Sequence, residues 1–191
     1  MEYRLGAFMT ISPHFLRHSS TALQLTRRQR HICGVPIIVL LIEIYFDGLC
    51  QPINPGGIAC YAFVVKKGGT TIHSDYGVVG KPFSEDSTNN VAEYTALIKA
   101  LQWLLKNDLG SEKVEIKSDS KLIVNQLTGD YKVKAKRIVN LYKQVLVLKS
   151  KFQDILITWV PREENREADR LTNKAYNKAL QENPEYLDRA I

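Results

Sequence analysis

The sequence predicts an α/β fold, a mixed sheet with helices packed on its faces, and two observations carry that prediction. Between residues 37 and 79, three strand-like apolar runs follow one another through short, glycine-rich connections, which reads as an antiparallel meander. From residue 88 onward, helix-period and strand-period segments alternate, giving the order βββαβααβα and hence five strands.

Each element has its own signal. Ile37 to Phe46 reads as the first strand: Ile42, Ile44 and Phe46 share one face, and Glu43, Tyr45 and Asp47 the other. Asn54-Pro55-Gly56-Gly57 is a turn cluster, followed by a strand from Ile58 to Lys66. Lys67-Gly68-Gly69 turns the chain into a third strand, Thr70 to Val79. Thr88 or Asn89 caps a helix that runs to Lys106 on the apolar stripe of Ala92, Ala96, Leu97, Ala100, Leu101 and Leu104. Lys113 to Ser118 is a short strand, and Ser120 to Leu127 a short helix stopped by Gly129. An amphipathic helix over Ile138 to Phe152, a strand over Ile155 to Val160 and a helix over Glu163 to Gln181 complete the order.

The bulk numbers bound the function. At 191 residues, 45% hydrophobic and 24% charged, the chain has the make-up of a globular domain with a sizeable core. The net charge of +6 permits a polyanionic partner without requiring one. Cys33, Cys50 and Cys60 lack the spacing of a zinc site or disulfide framework, which points to reduced thiols and a cytoplasmic setting. The longest apolar stretch, Val35 to Ile42, is too short to cross a membrane. Charge is distributed unevenly. Every lysine lies after residue 65, whereas residues 1–36 carry Arg4, Arg17, Arg27, Arg28 and Arg30 and only one acid, Glu2. That segment reads as a dispensable basic leader: an organellar transit-like peptide, a disordered arm, or a stretch upstream of the true start. The expected organisation is leader 1–36, catalytic domain 37–181 and tail 182–191, with Tyr186, Leu187 and Ile191 as packing anchors in the tail.

Four carboxylates stand out because each sits where a strand or helix can aim it at a common point: Asp47, Glu93, Asp119 and Asp169. Acids gathered in one place repel one another unless a cation neutralises them, and hard divalent ions take oxygen ligands. Two such ions about 4 Å apart could activate a water and stabilise the leaving 3′ oxygen in an in-line cleavage of a phosphodiester. Any one of these acids alone would more often be a cap or a surface charge.

Asp47-Gly48, Asn54-Pro55-Gly56-Gly57, Thr88-Asn89-Asn90-x-x-Glu93, Ser118-Asp119-Ser120 and Ala168-Asp169 occur in that order and on the expected elements. Through them the stretch from Ile37 to Leu180 resembles the type 1 ribonuclease H family. The resemblance implies a five-stranded ribonuclease H-like sheet, with strands one to three antiparallel and strands one, four and five parallel. It also implies hydrolysis of the RNA strand of RNA–DNA hybrids to 3′-hydroxyl and 5′-phosphate ends, by a monomer using Mg²⁺, with Mn²⁺ as a substitute. Asp47, Glu93, Asp119 and Asp169 correspond to the family's metal-binding acids. Asn89 and Asn90 match a pair that reaches the minor groove of the hybrid, where amides can both donate and accept; Asn89 has a helix cap as its alternative role. Asn54 and the backbone of Gly56 and Gly57 are further candidates for RNA contact, against the alternative of a plain tight turn.

One departure stands out. Many family members carry a histidine in the loop before the last helix, and here that loop, Val160 to Asn165, has none. Arg162 is the candidate for its place, able to hold a phosphate but not to act as a base, with a surface ion pair to Glu163 or Glu164 as the competing role. Lys132, Lys134, Lys136 and Arg137 form a basic run after the short helix, either a solvated face or a track for the DNA strand, with Lys134 and Lys136 the chosen contacts. Trp103 and Trp159 are expected in the core or at its edge. Double-stranded RNA as a second substrate stays open, as do two rival functions: a silent hybrid-binding module and another nuclease on the same fold.

Overall fold

The computed structural model describes residues 31–32, 35–36 and 40–187. The expectations placed on the leader, and on Ile191, lie outside the described residues; a two-residue antiparallel pairing of His31–Ile32 with Val35–Pro36 is all that is seen before residue 40. The rest forms a sheet of β1 (Ile42–Gln51), β2 (Ile58–Lys67), β3 (Thr70–Val78), β4 (Lys113–Ser118) and β5 (Asp154–Trp159). Its helices are α1 (Asn89–Lys106), α2 (Lys121–Thr128), α3 (Lys136–Lys149) and α4 (Arg166–Glu182).

The spatial order of the strands is β3-β2-β1-β4-β5. β1, β2 and β3 pair antiparallel, and β1, β4 and β5 pair parallel. The mixed sheet is therefore the one predicted. α1 and α3 pack together on one face of it, and α4 lies across β2, β1 and β3. This arrangement explains why β2 is an unbroken apolar run, buried from Ile58 to Val65. Tyr61, Phe63 and Val65 join the main core with Ile42, Ile44, Phe46 and the apolar stripe of α1. Ile58 and Cys60 pack instead with Ala175 and Ala179 of α4.

Several boundaries differ from the sequence reading. The first strand starts at Ile42, not Ile37, and continues through Asp47 and Gly48 to Gln51. Its extent is set by its partner, since Ile42 pairs with Lys67 and Gln51 with Ile58. Asp47 thus lies inside a strand and not just beyond its end. The third helix begins at Lys136, so Lys136 and Arg137 belong to its first turn and not to the preceding link. It stops at Lys149, and Phe152 is buried as part of the following loop. Before the last helix comes a 3₁₀ turn, Arg162–Glu164, and the helix itself starts at Arg166. In the tail, Tyr186 packs edge-on against Phe83 at 5.3 Å between ring centroids, whereas Leu187 is exposed. Among the described residues no helix is long and apolar enough to cross a membrane.

Candidate active site

The parallel register fixes the site. Tyr45 of β1 pairs with Lys117 of β4, so Asp47 and Asp119, each two residues further on, come level with one another. Asp47 belongs to the sheet face that α4 covers, because Thr172 of α4 donates its hydroxyl to Asp47 Oδ2 at 2.8 Å. Glu93 reaches the same level from α1, on the opposite face, and Gly48 makes that approach possible. A Cβ at residue 48 would meet the Glu93 amide nitrogen at 2.4 Å and the Asn89 carbonyl at 2.6 Å. No side chain can stand there without moving α1 away from β1. Asp169 comes from the first turn of α4.

Burial and mutual repulsion shape the electrostatics. Glu93 is 9% exposed. Its carboxyl is pushed up to about 8, first by burial, then by the negative charges of Asp47 and Asp119, against support for the ionised form from the Ser120 hydroxyl. Asp47 is likewise raised, chiefly by burial; the Thr172 hydrogen bond lowers it, and the charges of Asp119 and Asp169 raise it again. The four acids therefore feel one another, as the sequence reading requires.

Each acid also rests on a donor from the chain. The Asn165 amide donates to Asp119 Oδ1 at 2.6 Å and to the Phe46 carbonyl at 2.9 Å, bridging β4 and β1 from the start of α4. Arg162 Nη2 lies 2.6 Å from Asp169 Oδ1, so its ion pair is with Asp169 and not with Glu163 or Glu164. Among the described residues no three His, Cys, Asp or Glu side chains are already drawn together as a metal cluster. The donor set nonetheless fits a hard divalent ion: all its atoms are carboxylate oxygens, and the repulsion that lifts Glu93 and Asp47 is what a cation relieves.

The turn cluster is bound into the N-terminus of α1. Thr88 caps the helix by accepting from the Val91 amide at 3.1 Å, so Asn89 is its first residue and not its cap. Asn54 Oδ1 accepts from the Asn89 amide at 3.2 Å. Gly56 takes a left-handed φ of 96° and donates its amide to the Ser87 carbonyl at 2.9 Å, while the Gly57 carbonyl accepts from the Phe83 amide at 3.0 Å. A Cβ at residue 57 would lie 2.3 Å from the Gln51 carbonyl oxygen. Both glycines are thus required by the turn itself. Asn90 is half-buried, and the buried Asn89 Oδ1 has no hydrogen-bond partner. Lys134, in the link before α3, and Lys136, in the first turn of α3, are exposed and away from the acids in sequence. Trp103 is half-buried and stacked on His73 at 4.3 Å, but Trp159 is 42% exposed at the end of β5.

Sequence reasoning missed Thr172 and Asn165. Thr172 lies three residues after Asp169 on the same face of α4, and Asn165 is the residue immediately before that helix, four before Asp169. That signal was available once Asp169 was suspected.

Comparison with known proteins agrees with this architecture. A family model described as reverse transcriptase-like matches residues 72–175. A bifunctional protein of Mycobacterium tuberculosis is 42% identical over 128 residues, 67% of this chain and 34% of that protein, so the chain spans about a third of that relative's length. Ribonuclease HI of Halobacterium salinarum is 34% identical over 138 residues, covering 72% of this chain and 65% of that enzyme. Among solved structures, a type 1 ribonuclease H from a compost metagenome, LC11-RNase H1 in complex with RNA/DNA hybrid, superposes with a TM-score of 0.65 at 36% identity, over 73% of this chain and 99% of its own. With the strand order, the acids on β1 and α1, just after β4 and on α4, and these relatives in agreement, the chain belongs to the type 1 ribonuclease H family.

Proposed function

We propose that the chain is an endoribonuclease that hydrolyses the RNA strand of RNA–DNA hybrids with Mg²⁺, leaving 5′-phosphate and 3′-hydroxyl ends. One observation carries this reading: four carboxylates repel one another at the carboxyl end of β4 and beside it, where divalent cations would relieve the repulsion and supply the positive charge that draws in an anionic phosphodiester. Asp47, Glu93, Asp119 and Asp169 would hold the ions. The chemistry that a pair of such ions supplies is Lewis-acid activation at phosphorus and neutralisation of the developing charge. Thr172 and Asn165 keep Asp47 and Asp119 in place by donating to them. Asn54, Asn89 and Asn90 offer amides to the minor groove; Gly56 and Gly57 hold the turn that presents Asn54; Lys134 and Lys136 extend the contact to the DNA backbone.

The test is cleavage of a 5′-labelled RNA strand, in hybrid and in RNA duplex, with Mg²⁺ and with EDTA. Internal cuts in the hybrid that need Mg²⁺ are expected. Hybrid binding without cuts would instead make the protein a silent binding module.

Arg162 has a defined part in this scheme. It is 74% exposed yet reaches back to Asp169, so its guanidinium stands at the mouth of the acid cluster, where it can hold a phosphate oxygen. Arg162→Ala is expected to slow turnover by about tenfold to a hundredfold, the range for removing one electrostatic donor. The Mg²⁺ concentration for half-maximal activity should not rise, because Asp169 loses a competing cation. Unchanged kinetics would remove Arg162 from the mechanism.

A further inference from the structure

The rim of the acid cluster on its β5 side carries a pairing that the four acids do not account for. Trp159 ends β5 and pairs with Ser118, the residue before Asp119. Its indole Nε1 donates to the Asp119 carbonyl at 3.1 Å, which fixes the ring beside the acid while leaving the residue 42% exposed. Over that ring, 4.7 Å from its centroid, lies the ammonium of Lys121. Lys66, Lys67 and Lys117 each meet a glutamate, whereas Lys121 makes no ion pair among the described residues. It is also the first residue of α2, whose first turn holds no acid. A cation there opposes the positive end of the helix dipole, so its position does not serve the helix. An anion at this spot would satisfy both.

We infer that Lys121 and Trp159 form a contact for a backbone phosphate of the nucleic acid strand passing the acid cluster. Lys121 takes the phosphate, and Trp159 holds the ammonium in place and packs its open indole surface against the adjoining sugar or base. The inference rests on the hybrid nuclease reading above. It adds a cationic, aromatic wall on the side of the site opposite the Asn54–Asn90 amides in the strand order, since β5 and β2 flank β1 and β4 from opposite sides.

The experiment is binding of a short RNA–DNA hybrid in EDTA, where no cleavage occurs, across a series of salt concentrations. Lys121→Gln is expected to weaken binding about fivefold and to reduce the slope of log K against log[salt] by about 0.9, the contribution of one phosphate contact. Lys121→Arg should restore the slope. In a Trp103→Phe protein, Trp159 is the sole tryptophan, and its fluorescence is expected to change on hybrid binding. Wild-type affinity and slope in Lys121→Gln would overturn the contact while leaving the nuclease reading intact. A wild-type protein that binds no hybrid would overturn that reading and the contact with it.

Discussion

Replacing Asp119 by Asn is expected to abolish cleavage of the hybrid while leaving the protein folded and able to bind it. The substitution keeps the shape of the side chain and removes one charge. Its carbonyl oxygen can still accept from Asn165, the 2.6 Å bond that ties β4 to the Phe46 carbonyl of β1. The fold therefore has little reason to change. What changes is the field: Asp119 is among the charges that raise both Asp47 and Glu93, so its loss relaxes the cluster and lowers its attraction for a divalent cation. Removing one group that acts on transition-state charge costs on the order of a hundredfold to a thousandfold in rate, and more where ion binding is lost as well. Two readings check this. The 5′-labelled RNA strand should stay intact under conditions where the wild type cuts it, and the thermal midpoint of the metal-free protein should be equal to or above that of the wild type. Cutting at a rate near that of the wild type would show that Asp119 is not part of the catalytic site, and with it the four-acid scheme would fail.

How far the sequence alone leads is best seen residue by residue. Asp119 was legible because a short strand, Lys113–Ser118, stops one residue before it, and Ser120 caps the next helix by accepting from Ile123. Glu93 was legible because the stripe of α1 leaves it one turn from a capping residue. Asp47 lies on the predicted face of its strand, opposite Ile44 and Phe46, but in mid-strand and not just beyond a strand ending at Phe46. An apolar run from Ile37 cannot announce where pairing begins; the length and register of β2 decide that, and they place Asp47 and Gly48 in mid-strand. The role of Gly48 follows from tertiary contact with α1, which no local pattern encodes. Gly56 and Gly57 show a local demand that their type alone does not specify: one answers a left-handed φ and the other a crowded carbonyl, which is the tight turn that the sequence also allows. Phe152 shows the same limit at a helix end, since apolar periodicity continues past Lys149 although the backbone has left the helix. The donors that hold the acids, Thr172, Asn165 and Arg162, all lie within seven residues of Asp169. Their neighbourhood was visible in the sequence, but which carboxylate each would serve depends on how α4 crosses the sheet.

Glu93→Gln is expected to remove the pH dependence of stability that the buried carboxyl imposes on the metal-free protein. The folded state raises Glu93 from its ordinary value of 4.5 to about 8, with burial as the main cause and Asp47 as the next. Below pH 4.5 the group is protonated in both folded and unfolded chains, and the full stability is present. As the pH rises through the unfolded value, the unfolded chain releases its proton while the folded one retains it, so stability falls steadily. The loss levels off above about 8, where the folded carboxyl has ionised too. A shift of this size corresponds to ~5 kcal/mol between the ends of the window, or a fall of roughly 10–20 °C in thermal midpoint for a chain of this length. Glutamine keeps the volume and cannot ionise, so the difference between wild type and variant isolates this one group from the others that titrate alongside it. The variant should melt higher than the wild type at pH 8 and match it near pH 4.5. Added Mg²⁺ should then close the gap from the wild-type side, because an ion bound to the ionised cluster stabilises the folded state by mass action, and the variant has lost one of the oxygens that would hold it. Equal midpoints at pH 8 without metal would mean that Glu93 does not carry the buried charge. A Mg²⁺-induced rise as large in the variant as in the wild type would mean that Glu93 does not hold the ion.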